Sequence, residues 1–379
     1  MKFIHLSDLH LGKRISEYSM LEDQEYILTK IINIIDDESP HGVIIAGDIY
    51  DKSVPSAEAV ALFDDFLCTL SKRKLKVFVI SGNHDSPERI AFGSRLMEHG
   101  GIYISPVYNG DVKPIKLEDE YGKINIWLLP FVKPVHVRRF NEDEQIESYT
   151  DAMKIAIGKL NVNKNERNIM VTHQFVTGAD RTESEEISVG GTDNVDVSVF
   201  DSFDYTALGH IHRGQNCKSQ KVRYSGTPLK YSFSESKDVK SVSVVELKEK
   251  GSLNVKTVPL VPMRDMVEIK GKYNEIMLRD FYNNTSYQED YVHITLTDEE
   301  DIPDAAGKLR TVYHNLMKLD YDNLRTRSMN SIGGADIKLQ KSPLEHFAEF
   351  YQKQNNNPLT DKQSEFMKNL IEEIWEGEK

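Results

Sequence analysis

Cysteine is nearly absent. The chain has two in 379 residues, Cys68 and Cys217, too few for a disulfide framework and in keeping with a reducing cytoplasm. Long apolar runs are missing as well. No stretch approaches the ~20 residues that a membrane helix needs, so no membrane association is expected. The opening MKFIHLSDLHLGK has no apolar core behind a basic segment and does not read as a signal peptide. Nor is positive charge in excess: the formal net charge is −13, with acidic text late in the chain, as in DEEDIPD at 298–304 and IEEIWEGE at 371–378. That balance excludes little, because nucleic-acid binding depends on local patches. Lys13, Arg14, Arg89, Arg95, Arg138, Arg139, Arg181 and Arg213 all stand near the segments described next. The remainder, 39% hydrophobic and 28% charged, is globular composition, and the length suggests two or three domains.

What is present is a series of short Val- and Ile-rich runs that stop at metal-capable residues. MKFIHLSDLH leads to Asp8 and His10, GVIIAGDIYD to Asp48 and Asp51, and KVFVISGNHD to Asn83, His84 and Asp85. NIMVTHQ delivers His173, and YTALGHIH delivers His210 and His212. Each run has the length and content of a buried strand. Helices are expected between the first three, over 22–37 and 56–73, the second with Ser56 as N-cap. Strand alternating with helix is an α/β pattern, in which ligands collect at the carboxyl ends of strands. A lone histidine on a strand is usually a packing residue, and a lone aspartate after one is usually a cap. His5, His41, His99, His136, His293, His314 and His346 belong to that ordinary class. Five strand ends in succession do not.

Asp8, His10, Asp48, Asn83, His173, His210 and His212 are too many for one catalytic zinc, which takes about three protein ligands. They suit two divalent ions sharing Asp48, with Asn83 giving a neutral oxygen and Gly47 and Gly209 allowing close approach. Asp8-x-His10 and His210-x-His212 would each point to one spot if the chain stays extended there. His84 points elsewhere and is better suited to chemistry than to coordination. A nitrogen and oxygen set without sulfur suits manganese, iron or zinc, and Mn2+ is the expected activating ion, with Mg2+, Fe2+ and Zn2+ left open. Such a pair polarises a phosphoryl oxygen and steadies attacking and leaving oxygens.

Asp-x-His, Gly-Asp-x-x-Asp, Gly-Asn-His-Asp, an isolated His and Gly-His-x-His, in order over 8–212, resemble the calcineurin-like metallophosphoesterase superfamily. Three further blocks are SGNHDSPERIAFGSRLM (81–97), EEISVGGTDNVDVSVFDSFDYTALGHIH (185–212) and YSGTPLKYSFSE (224–235). They are similar to its bacterial double-strand-break repair nucleases, and the likeness runs over essentially the whole chain. The resemblance implies an α/β fold: a β-sandwich flanked by helices over 1–262, a small α/β capping domain governing DNA access over 263–330, a linker at 331–341, and a helical tail over 342–379. It implies that Asp8, His10, Asp48 and His212 hold one ion and that Asp48, Asn83, His173 and His210 hold the other. His84 would stabilise the transition state or protonate the leaving oxygen, with Asp51 and Asp85 supporting from behind. Asp85 would orient His84 or cap the next segment.

In the tail, Leu344, Phe347, Phe350 and Tyr351, then Phe366, Leu370, Ile371 and Ile374, recur at helical spacing on either side of Asn355–Pro358. Such stripes usually pack on their own domain. The resemblance implies that these two helices clamp the coiled coil of an SMC-type ATPase, in a heterotetramer with two copies of each chain. A homodimer, a nucleoid-associated cytoplasmic location and ATP-gated exonuclease and hairpin endonuclease activity are implied likewise. Lys13, Arg14, Arg89 and Arg181 are candidate DNA contacts by position. A small-molecule phosphodiesterase or phosphatase of the same superfamily and a non-catalytic repair scaffold are the competing expectations.

Overall fold

The computed structural model of the chain describes residues 1–183, 185, 193–324, 326, 343–355 and 358–376. Two six-stranded sheets pack face to face at its centre. Four parallel strands form most of the first: β1 (Lys2–Leu6), β2 (Gly42–Ala46), β3 (Lys76–Ile80) and β4 (Ile102–Ile104). The second contains β5 (Ile115–Asp119), β6 (Gly122–Leu129), β7 (Arg167–His173), β8 (Tyr205–Gly209), β9 (Gln215–Cys217) and β10 (Ser219–Tyr224). Its inner strands β6, β7, β8 and β10 are parallel. An antiparallel hairpin, β11 (Ser241–Leu247) and β12 (Leu253–Pro259), completes the first sheet beside β1.

The apolar runs are continuous rather than alternating because both faces of each parallel sheet are covered. Phe3, Ile44, Phe78 and Val245 of the first sheet meet Ile126, Ile169, Tyr205 and Ala207 of the second. Their sequence neighbours Ile4, Val43 and Val77 face outward, under α1 (Leu21–Glu38) and α2 (Ala57–Lys72). Trp127, Met170 and Leu208 do the same under α3 (Tyr149–Gly158). Each such side chain, fully buried, stabilises by about 1.5–3 kcal/mol. Ser56 caps α2, its hydroxyl accepting from Ala59 N at 3.3 Å. Polar pairs interrupt the seam: the Tyr205 hydroxyl sits 2.8 Å from His5 Nδ1, and Arg223 Nε donates to Ser243 Oγ at 2.9 Å.

The region after β12 is β13 (Met266–Gly271), β14 (Tyr291–Leu296), α4 (Ala305–Arg310) and β15 (Asn315–Tyr321). Strand–helix–strand–helix is expected here, and the chain adds a third strand, β15, parallel to β14. Leu316 supplies the apolar contact that recruits it to a small separate core with Val292, Ile294 and Leu309. Met266 and Tyr291 instead join the large cluster beneath α1. All of this forms one compact unit, whereas α5 (Pro343–Asn355) and α6 (Asp361–Glu376) belong to a second. The expected linker 331–341 lies outside the described residues. Among the described residues, no helix is long and apolar enough to cross a membrane.

Candidate metal centre

All the parallel strands of both sheets end on one side of the sandwich, and the loops leaving them meet there. Extended parity is not what aims Asp8 and His10. β1 stops at Leu6, and both residues take left-handed backbone, with φ of 53° and 45°; Asp48 does likewise at 49°. His210 follows β8 at φ 102°, so that pair is not extended either. A left-handed conformation costs a non-glycine residue about 1–2 kcal/mol. Hydrogen bonds between loops offset it: Asp8 N donates to Gly47 O (3.0 Å), His10 N to Asp48 O (3.0 Å) and Leu11 N to Ile49 O (2.8 Å). Gly209 is needed for contact between the sheets, since a Cβ there would stand 1.9 Å from Ala46 O.

The structure brings all seven expected ligands and His84 to this place. Asp48 Oδ2 lies 3.2 Å from His173 Nε2, 3.7 Å from His10 Nε2 and 4.0 Å from His84 Nε2. On one side, His10 Nε2 and His212 Nε2 face each other at 3.2 Å, and Asp8 lies within 4.8 Å of both. On the other, Asn83 Oδ1 is 3.0 Å from His173 Nε2 and 2.9 Å from His210 Nδ1. Asp48 stands where the two groups meet, as a shared carboxylate would.

Asp8, His10, Asp48 and His173 are buried. Burial pushes the Asp8 carboxyl up to about 6, with Asp48 adding to the rise against His173 and His212. Burial also holds the imidazoles of His10 and His210 well below their ordinary value. His173 goes the other way: burial disfavours its charge, but the Asp48 carboxylate against it raises it to about 9. Neutral imidazoles at His10 and His210 keep lone pairs available for coordination. Asp8 Oδ2 is buried with no hydrogen-bond partner. An orphaned oxygen beside a donor set that is all nitrogen and oxygen fits divalent metal ions.

His84 is held from behind by a main-chain group. Its Nδ1 donates to Asp51 O at 3.1 Å, which leaves Nε2 toward the pocket. The Asp51 carboxylate lies 3.7 Å from His10 Nδ1 and pairs with Lys13 at 2.7 Å. Asp85 neither orients His84 nor caps the next segment. Its carboxylate accepts from the backbone N–H groups of Ile49 (3.1 Å), Tyr50 (3.0 Å) and Gly82 (2.9 Å), while Ser86 makes the cap. Three loop donors hold a buried carboxylate more firmly than one imidazole would.

Some supporting residues carry no local signal. Glu185 Oε1 accepts from His212 N at 2.7 Å, Glu235 lies 3.8 Å from His212 Nδ1, and the Tyr231 ring packs edge-on against His10. Glu185 does open the block at 185–212, and Tyr231 and Glu235 fall inside YSGTPLKYSFSE. Of the basic candidates, Arg181 is paired with Asp193 and stacked over Phe175, whereas Arg14 and Arg89 are exposed. In the tail, Leu344, Phe347, Tyr351, Leu370 and Ile371 are half-buried. Phe350 and Phe366 are 60% and 65% exposed. Ile374 falls on α6, with its side chain outside the described residues.

A family model described as calcineurin-like phosphoesterase matches residues 1–214. Another, described as type 5 capsule protein repressor C-terminal domain, matches 262–355. A Staphylococcus epidermidis protein, named as the D subunit of the nuclease SbcCD, is 32% identical over 382 residues, covering 100% of both chains. The Staphylococcus saprophyticus protein of that name is 32% identical over 381 residues, covering 99% of each. A solved dimetal phosphatase from Danio rerio aligns at TM-score 0.41 and 14% identity, over 69% of this chain and 99% of its own, too low to carry an argument.

Proposed function

The chain belongs to the calcineurin-like phosphoesterases and, within them, to the SbcD nucleases, and from that premise we propose that it cleaves DNA phosphodiesters at a two-metal centre. The observation carrying this reading is the convergence of Asp8, His10, Asp48, Asn83, His173, His210 and His212 on one buried pocket beside His84. The full-length likeness supports DNA over a small phosphodiester. Asp8, His10, Asp48 and His212 would hold one divalent ion, and Asp48, Asn83, His173 and His210 the other. Mn2+ is our choice from the sulfur-free donor set. When bound, the ions supply Lewis acidity and a nucleophile usable at neutral pH.

The chain's own part falls to His84. With Nδ1 donating to Asp51 O, its Nε2 faces the scissile phosphate, and in the doubly protonated, cationic form it would give that proton to the departing 3′ oxygen and end as the neutral imidazole. Lys13, Arg14, Arg89 and Arg181 would meet the DNA backbone around the pocket, reading phosphates rather than bases. The capping domain at 263–330 would bound the path of the duplex. The α5 and α6 stripes, joined through the 331–341 linker, would bind an SbcC-like SMC-type ATPase. The assembly would contain two copies of each chain around a homodimer of this one, in the nucleoid, with ATP gating 3′-to-5′ exonuclease and hairpin endonuclease activity.

The test is Mn2+-dependent cleavage of a 5′-labelled duplex with a hairpin end, with and without an SbcC-type partner. His84→Ala is expected to lose about 10²–10⁴-fold in cleavage while still binding Mn2+. Wild type that hydrolyses bis-p-nitrophenyl phosphate but never DNA, even with its partner, would return the chain to small-molecule chemistry.

A further inference from the structure

The first turn of α1 touches both the metal loop and the capping domain. Gln24, 1% exposed, spans the loop from the inside: its Nε2 donates to His10 O at 2.7 Å, and its Oε1 accepts from Gly12 N at 2.9 Å. The same Nε2 lies 3.0 Å from the Tyr231 hydroxyl, which donates to Leu9 O at 2.6 Å. These bonds fix the peptide groups on both sides of His10, whose left-handed backbone sets where its imidazole points. Asp23, the preceding residue, is fully buried and turns toward the capping domain. Its Oδ2 accepts from Arg264 (2.7 Å) and from the Tyr291 hydroxyl (2.7 Å), and Arg264 also pairs with Glu22 at 2.6 Å. Tyr291 opens β14 and packs edge-on against Tyr18, in the segment between His10 and α1.

We propose that Gln24 is a positioning residue for the metal ligand His10, and that Asp23 ties this setting to the capping domain through Arg264 and Tyr291. This rests on the two-metal reading above. Adjacent residues on one helical turn cannot move independently, so displacing Arg264 and Tyr291 shifts Asp23 and with it Gln24. The capping domain, on this account, helps set metal affinity as well as the path of the substrate.

The experiment is calorimetric titration of the full chain with Mn2+, with the electron paramagnetic resonance spectrum of the bound ion as a second readout. Wild type should show two Mn2+ sites that Asp48→Ala removes. Gln24→Met should weaken Mn2+ about tenfold and alter the spectrum. Arg264→Met and Tyr291→Phe, both remote from the ligands, should each weaken it by about threefold. Gln24→Met combined with Arg264→Met should be no worse than Gln24→Met alone, because the second change acts through the first. Metal-free melting confirms that each variant is folded, and Arg264→Met keeps the test open if Gln24→Met is not. Wild-type affinity in Gln24→Met overturns the positioning role, and wild-type affinity in both capping-domain variants overturns the coupling. Wild type that binds no Mn2+ overturns the metal reading and this one together, a result distinct from either.

Discussion

A methyl group at Gly209 would collide with the carbonyl of Ala46, on the facing sheet. Backbone against backbone cannot yield by rotating a side chain. Gly209→Ala is therefore expected to cost about 3 kcal/mol or more, measured by urea denaturation of the metal-free chain. At this scale the candidate donors were legible in the sequence, because each ends an apolar run where strand text has no use for it. Their backbone was not. The left-handed turns at Asp8, His10 and Asp48 depend on bonds between loops some 40 positions apart, which no local pattern encodes. The same holds for Asp85: its three backbone partners include Ile49 and Tyr50, which lie on a different loop. Gln24 reads as an ordinary residue of an amphipathic helix, and only the folded chain gives it a partner in His10.

Among the elements, α1 and α2 were legible to within a residue or two, since their apolar faces and the Ser56 cap are local signals. Ser56→Ala should lower stability by about 1 kcal/mol, read from the urea midpoint at unchanged slope. The third strand of the small sheet after β12, β15, was not legible, because a short segment joins a sheet only through neighbours distant in sequence. In the tail, α5 and α6 leave Phe350 and Phe366 largely in water. Replacing Phe366 by Glu is expected to weaken capture of the proposed ATPase partner at least tenfold in a pull-down titration, with Mn2+ binding unchanged. Equal loss of both would place Phe366 in the fold rather than in a docking face.

Over the whole molecule, acid stability has a traceable source in the outer strand β5. Burial tends to raise the Asp119 carboxyl, but Arg167 and the Met1 ammonium beside it outweigh that and hold it well below the usual carboxylate range. A depressed acid contributes stability that is complete above the unfolded value of about 3.9 and lost as pH falls through the folded one. Asp119→Asn should therefore be less stable than wild type at pH 7, and the gap should narrow steadily as pH falls below the unfolded value of about 3.9. A gap that does not change with pH would assign the cost to lost packing.

The pocket also lies across the seam of the sandwich. Asp8, His10, Asp48 and Asn83 come from loops of one sheet; His173, His210 and His212 come from the other. Ions held there would act as rivets between two halves that otherwise meet through apolar contact and hydrogen bonds such as His5–Tyr205 and Arg223–Ser243. A ligand that binds only the folded state at a hundred times its Kd adds about 2.7 kcal/mol, so an ion-starved chain should open more often and be digested sooner by a protease. The supply of divalent metal would then govern how long each copy survives as well as what it can cut.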